Sequence, residues 1–535
     1  MTHLDSQLAQ LENAQLLRRL DEPDLTYLFK HALTQESAYH SLLREDRKRL
    51  HRATGEALER AFPNQLDETA ALLAHHFEQA EDLPKALEYL VRAAEWAHRG
   101  AAHREEAALL ARAIALAKQT GKRDLAATLH AQRGKALASI TAWGEAQAEL
   151  ETALEFLAPD CLAERSEILT DMAIVAQWTR DVEVSQQKAE QALALAEQAG
   201  RDDLIAAANG ALAMAQAIAG NLNGNLAKSE SVFAHARQNL TPSFLQGMEM
   251  SGLCLYWLGR HTDAIERNRE AVRLARQAFD TVTIMRGLSN VGMALAGAGR
   301  YGEAFETLQE AREFGQSHEL GAWLARTIAI EGGLHLELFD FGEAEQLAMQ
   351  AQSLAYSSKF IVAIASPAID LLFNFARTGH LDRTGPVEEQ VRQLLPGVSG
   401  PHVWLLAQRL NQARAELAFA QNQWQDAIAR ASETFADASN IGRVKYQVAA
   451  LQTRAQALAA LGRQEEALAD VQTAVSLARP VGDPAMLLHA LLVQLRLRGD
   501  DVLAAEARRL TQSIAAALPD AKLRGRFHAY VTELI

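Results

Sequence analysis

An alanine preceded by an acidic residue returns along this chain at one spacing. Ala146 (W-G-E-A), Ala264 (H-T-D-A), Ala304 (Y-G-E-A), Ala344 (F-G-E-A), Ala427 (W-Q-D-A) and Ala467 (Q-E-E-A) are separated by 118, 40, 40, 83 and 40 residues, one unit of about 40 with two copies and then one passed over. A fixed period of this size is the signature of a stacked repeat. Each unit of such a stack contacts only its neighbours, so a chain of 535 residues needs no division into several globular cores.

Other columns keep the same register. Twelve residues before these alanines stand Gly134, Gly252, Gly292, Gly332, Ala415 and Ala455, and seven after them stand Ala153, Ala271, Ala311, Ala351, Thr434 and Ala474. Five residues before, a turn position holds Gly259, Gly299, Gly462 and Asn422, with Thr141 and Phe339 as departures. Two antiparallel helices joined by a helix-ending Gly or Asn account for the spacing. A small side chain at one point of each helix lets the partner backbone come close, so these are packing columns. The units near 185 and 225 keep the spacing with Ser185 and Asn225 where Ala is expected.

The columns resemble those of the tetratricopeptide repeat (TPR) family, with a unit of about 40 residues in place of the usual ~34. The resemblance implies an all-α fold, a right-handed TPR-like α-solenoid over residues 63–535. Twenty-four helices are expected in close order, from 67–80 to 520–534. Gly385-Pro386, Pro396-Gly397 and Gly400-Pro401 make the unit near 380–401 irregular, because Pro and Gly shorten a helix and lengthen its loop.

Composition agrees. Hydrophobic residues make up 49% of the chain but aromatics only 6%, so the apolar mass is mostly Ala and Leu, as closely packed helices require. A net charge of −14 argues against nucleic acid or an anionic membrane as the main partner. Two cysteines, Cys161 and Cys254, without a Cys-x-x-Cys pair, and no signal-like start point to a cytoplasmic location.

Residues 1–62 leave the register. They read as a helix from Leu4 to Leu20, a turn at Asp21-Glu22-Pro23-Asp24, an extended T-Y-L-F, and a helix from His31 to Arg60 broken near Arg44 to Asp46. The run Y-L-F-K-H-A-L-T-Q-E-S-A-Y-H-S-L-L followed by R-K-R-L-H, Tyr27 to His51, resembles the end of the winged-helix module of bacterial signal-transduction ATPases and ATPase-linked nucleotide cyclases. The resemblance implies a winged-helix-like remnant, with His31 at a position that contacts nucleotide in that family; the alternative is a histidine packed at a strand-to-helix junction. The basic segment Arg44, Arg47, Lys48, Arg49 and Arg52 reads either as a docking face for an acidic partner or as a solvated helix face.

Catalytic patterns are missing from the sequence. Gly121-Lys122 and Gly134-Lys135 lack the upstream Gly and following Ser or Thr of a phosphate-binding loop. His75-His76 diverge on a helix, and no H-E-x-x-H, Cys cluster or Gly-x-Ser-x-Gly occurs. No catalytic residue, metal or cofactor is expected.

The TPR resemblance implies that the first helix of each pair lines a concave groove, at positions six and three before the small column and one, four and five after it. Those offsets select Gln246, Glu249, Tyr256, Trp257, Arg286, Ser289, Arg326, Glu337, Arg409, Gln412 and Glu416, with Gln177 and Trp178 counted from Ala173. The candidate partner-binding set is Trp178, Glu249, Tyr256, Trp257, Arg286, Arg326, Arg409 and Gln412. Guanidinium groups beside aromatic surface suit an extended peptide carrying carboxylates. The alternative makes Trp178 and Trp257 core residues and pairs the arginines with Glu249 or Glu337. The function expected is a non-catalytic protein- or peptide-binding scaffold, the sensor arm of a bacterial signalling system. The other reading is a small-effector-sensing subunit that docks through residues 1–60 on a separate ATPase, cyclase or transcription factor.

Overall fold

The structure, a computed structural model, describes residues 2–20, 27–179, 182–235, 242–358, 360–398 and 402–535. These form 27 α-helices and one short antiparallel hairpin. Contacts divide the chain into two compact units, residues 1–100 with 105–122, and residues 101–104 with 123–535.

The first unit opens with α1 (Thr2–Asn13), β1 (Leu17–Arg19) and β2 (Tyr27–Phe29), the strands paired Leu17 to Phe29. The helix expected to run to Leu20 stops at Asn13. Gln15 takes a positive φ of 57°, and Leu17 to Arg19 gain the backbone partners that T-Y-L-F offers as a strand. The turn expected at Asp21 to Asp24 lies outside the described residues. The helix from His31 is broken, as expected, into α2 (Ala32–Ser41) and α3 (Arg44–Ala61), with His31 exposed at the strand-to-helix junction. A chain of polar contacts from Tyr39 Oη to His51 Nε2 (3.1 Å) and His51 Nδ1 to His76 Nδ1 (3.0 Å) ties α2 and α3 to α4 (Ala70–Gln79). In α5 (Leu83–Arg99), Ala86 and Ala93 bury against α4 with Ala74, so the column spacing already operates here. From residue 105 on, α6 (His103–Gln119) also belongs to this unit.

The second unit is a run of antiparallel pairs. They are α7 (Arg123–Ser139) with α8 (Trp143–Phe156), α9 (Leu162–Thr179) with α10 (Val182–Ala199), α11 (Asp202–Ile218) with α12 (Leu222–His235), α13 (Pro242–Trp257) with α14 (His261–Gln277), and α15 (Thr281–Gly297) with α16 (Tyr301–Ser317). There follow α17 (Gly321–Glu337) with α18 (Phe341–Ser358), α19 (Ile361–Thr378) with α20 (Thr384–Leu394), α21 (His402–Ala420) with α22 (Trp424–Ile441), α23 (Val444–Ala460) with α24 (Gln464–Ala478), α25 (Pro484–Leu497) with α26 (Asp501–Ala517), and a final α27 (Ala521–Leu534). The fold is the TPR-like solenoid the period predicts. From α9 to α25 the first helices also pack on one another and form an inner layer.

The column chemistry is visible atom by atom. A Cβ on Gly134, Gly292 or Gly332 would lie 3.2 to 3.5 Å from the carbonyl oxygen of Ala146, Ala304 or Ala344, twelve residues on. The alanines seven residues further, Ala153, Ala271, Ala311 and Ala351, are fully buried. Where the alanine is replaced, the substitute bonds across the same gap. Ser185 Oγ donates to the Ala173 carbonyl at 2.9 Å and Asn225 Nδ2 to the Ala213 carbonyl at 2.6 Å, each again twelve residues back.

The turn column keeps its conformation even where its residue departs. Gly259, Gly299, Gly462 and Asn422 have φ between 61° and 77°, and so do Thr141 at 63° and, nearly, Phe339 at 57°. In the irregular unit α20 is short, set between 3-10 turns at Leu381–Arg383 and Leu395–Gly397. Pro386 is tolerated because it falls in the first turn of α20; Gly400-Pro401 lies outside the described residues. α19 is long and apolar enough to cross a membrane, yet 72% of it is buried inside the fold. The last helix, α27, caps the array, with Leu523, Phe527 and Val531 buried.

In this packing Gly292→Leu drives a side chain into Leu308, whose nearest atoms lie 2.7 Å from the added Cβ, and should cost about 1–3 kcal/mol. Gly525→Ala, mid-helix in α27 with nothing within 4 Å, should instead stabilise by about 0.5–1 kcal/mol. Urea denaturation of both variants checks the contrast, and equal effects would refute the column packing.

Candidate functional site

Side chains of the inner layer converge on a cavity of about 270 Å³. Its wall takes residues from seven successive inner helices, α13 to α25, and the contributing positions slide along them. α13 and α15 present their C-terminal ends, with Tyr256, Trp257 and Met293. α17 and α19 present Arg326 to Glu337 and Ser366 to Arg377. α21 presents His402 to Glu416, and α23 and α25 present their N-terminal halves, with Tyr446 and His489. The cavity thus crosses the layer obliquely, as follows when each repeat is rotated on the last.

Contacts between distant repeats brace this wall. Trp404 Nε1 donates to the Ala217 carbonyl at 3.3 Å and its ring meets Trp257 edge-on at 5.2 Å. The turns at Gly259 and Gly299 approach Val481 and Pro484. Phe339 stacks on His489 at 4.3 Å and Tyr530 at 5.0 Å, and Asp340 accepts from Arg526 at 2.7 Å. The concave face is therefore a walled space.

The residues expected to line it divide into two groups. Tyr256, Trp257, Arg326, Arg409 and Gln412 reach the cavity. Arg286 and Glu249 instead face each other as a buried ion pair at 2.6 Å, with Arg286 over the Trp323 ring. Asn290 bonds Glu249 and accepts from Arg326 at 2.8 Å, which relays that arginine to the same carboxylate. Trp178 stacks on Trp143 and meets Trp323, Phe360 and His402 in an aromatic cluster. The basic segment of the first unit is an ion-paired face, with Arg44 and Lys48 on Glu81 and Arg49 on Asp46, contacts of little energetic weight in water.

Partly buried ion pairs line the cavity wall. Arg377 pairs with Glu416 at 2.9 Å, Arg409 with Asp370 at 2.5 Å and Lys445 with Glu337 at 3.5 Å. Burial would raise the Glu337 carboxyl, but Lys445, His489 and Arg377 hold it down at about 2. Burial raises Asp483, which caps α25 through the Met486 N–H, to about 6. Burial lowers Arg326 and Arg443 to about 10. His402, buried beside Arg326 and Arg286, falls to about 3.

Several of these groups escape the sequence reading. Ser366, Phe373 and Arg377 occupy the expected offsets around Leu372, forty residues after Gly332, but Leu stands there in place of a small residue and α20 lacks the acidic-alanine pair. His489 likewise occupies the first offset around Leu495, twelve residues before Ala507, where Leu again replaces a small residue, whereas Arg443, Lys445 and Tyr446 lie before the first offset around Ala455, because the cavity has by then slid towards the helix start.

Residues 232–295 and 409–501 match the model of a family described as anaphase-promoting complex subunit 5. No curated protein sequence matches the chain. Among solved structures, a Rap protein complexed with competence and sporulation factor is similar over 67% of this chain and 99% of its own, at 12% identity and a TM-score of 0.52. The Cut9-Hcn1 hetero-tetramer of APC/C (16% identity, 94% and 99% coverage, TM-score 0.39) and yeast Tom70 (12%, 92% and 96%, 0.32) are also similar. The chain is a TPR-like helical-repeat protein.

His261, at the cavity edge, has both ring nitrogens buried without a hydrogen-bond partner, and burial with Lys445 nearby lowers its pKa to about 4. The unfolded chain binds this proton below about pH 6.5 and the folded chain does not, so stability falls as pH drops from about 6.5 to 4, by up to ~1.4 kcal/mol per pH unit. His261→Phe keeps a planar ring and removes the proton site. Its stability relative to wild type should rise between pH 7 and pH 5 in urea titrations, and a difference independent of pH would refute the assignment.

Proposed function

We propose that this chain is a non-catalytic cytoplasmic binding protein that takes a short peptide or a protruding protein segment into the space between its inner helices. In this reading it acts as the sensor arm of a bacterial signalling system. One observation carries the proposal, the convergence of seven repeats on a single cavity whose wall mixes apolar side chains with buried charges. Pockets of that composition, with a few placed polar groups among apolar ones, are where ligands bind. A ligand there would touch helices spread over more than two hundred residues, so its arrival would be felt along the whole array. The similar Rap structure is a complex with competence and sporulation factor, which agrees with a binding role.

A second reading, a small-effector sensor that docks on a separate nucleotide-binding protein, is favoured by one feature of the first unit. α2 buries none of its residues, and Leu33 and Leu43 are 76% and 74% exposed, apolar surface of the kind that marks contact sites.

Gly333 lines the cavity, and a Cβ added there meets nothing within 4 Å. Gly333→Phe should therefore fill the space without disturbing the fold and, as a better helix former, without loss of helicity. With the full chain immobilised and a synthetic library of short peptides passed over it, mass spectrometry should find peptides held by wild type and none held by the variant. Equal retention by both would refute the cavity as the binding site. Leu33→Glu should leave that retention intact while abolishing co-purification with a coexpressed nucleotide-binding partner.

A further inference from the structure

We propose that the cavity is built for a carboxylate: the acidic group of a ligand with an apolar body docks against the buried Arg443, one of four cations gathered near Tyr446. This rests on the reading of the cavity as a binding site and adds the charge of what binds.

The charge count carries it. Arg377, Arg409, Arg443 and Lys445 all lie within electrostatic reach of Tyr446. Three have a carboxylate partner, namely Glu416, Asp370 and Glu337. Arg443 has none among the described residues. Its guanidinium donates to Gln408 Oε1 at 2.9 Å and lies 4.0 Å over the Tyr446 ring, although only 7% of the residue is exposed. Arg326, the other cavity arginine without a direct carboxylate, reaches Glu249 through Asn290; Arg443 has no such relay. Asp483 is turned to the backbone of α25, where it accepts from Met486 N at 3.0 Å.

A cation taken out of water without a counter-charge is destabilising, because its lost hydration is not replaced. A second donor of the same cluster is also unanswered, since Arg377 Nη1 is buried with no hydrogen-bond partner. A planar acceptor with two oxygens and one negative charge satisfies such donors, and guanidinium groups match that geometry. The remaining wall describes what carries the acid. Trp257, Met293, Ile330, Phe373 and Met486 supply apolar surface, which suits an apolar body behind the acid. The ligand is a small organic acid or the C-terminal end of a short apolar peptide.

Four probes on the full chain test this, hexanoate against hexanamide and Leu-Leu-Leu with a free against an amidated C-terminus, each titrated by calorimetry. In at least one pair the acid should bind about tenfold or more tightly than the amide, the factor one charge-assisted hydrogen bond supplies. The pair that shows it identifies the source as a free acid or a peptide end. Arg443→Gln should bring the ratio towards one while circular dichroism is unchanged, and Arg443→Lys should retain part of it. Gly333→Phe should block every probe. A ratio near one in wild type, a ratio untouched by Arg443→Gln, or no binding by any probe at millimolar concentration would overturn the proposal. Binding that Gly333→Phe blocks but charge does not affect would overturn it while leaving the cavity reading intact.

Discussion

The structure depends on a close approach of two helix backbones, repeated down the chain. Where Gly292 faces the carbonyl of Ala304 there is room for a hydrogen and little else. Where the same gap recurs twelve residues apart from one pair to the next, the pairs can cross alike, and like crossings stack. The exceptions support this more strongly than the rule. Ser185 and Asn225 are polar, yet they sit in the gap and hydrogen-bond the carbonyl it exposes. A buried polar side chain is tolerated there because an acceptor already waits at the right distance.

That local regularity made the helices readable from the sequence. Gly, Ala and the acidic residue before Ala mark pair geometry residue by residue, so helix positions follow to within a few residues. The N-terminal hairpin was less accessible. Leu17 to Arg19 has no strand pattern of its own and becomes one through its partner Tyr27 to Phe29, a tertiary decision no local window contains. The cavity was half legible. Offsets carried from one repeat to the next found Tyr256, Trp257, Arg326, Arg409 and Gln412, but a fixed offset cannot follow a space that runs obliquely across the layer. Arg286 and Glu249 satisfy the same offset and meet each other, a pairing that needs coordinates to see.

Contacts between repeats far apart in sequence show how the wall is held. Phe339 sits at the turn position that Gly or Asn fills elsewhere, with a φ of 57°. A bulky residue in the left-handed region is strained, by about 1–2 kcal/mol. Its ring lies against His489 and Tyr530, and packing of aromatic rings offsets strain of that size. The departure in the turn column is thus where one stretch of the array grips another. Beside it Asp340 takes both His335 and Arg526, so helix α17 is tied to the capping helix α27 by rings and by charge together.

This bracing changes what the concave face costs to maintain. An open groove would leave its charged residues fully hydrated, but a walled one takes Arg377, Arg409, Lys445 and their partners partly out of bulk water. Buried ion pairs of that kind add little net stability compared with apolar packing of the same volume. A wall of leucines would serve a pure scaffold better. The chain instead keeps a mostly paired set of ions around Tyr446, drawn from α19, α21 and α23 and opposed by Glu337 of α17. Four repeats thereby meet through interactions that are long-ranged in a low dielectric. A change of charge at that point would be felt by all four, which is the physical requirement for a repeat array that responds to what it holds.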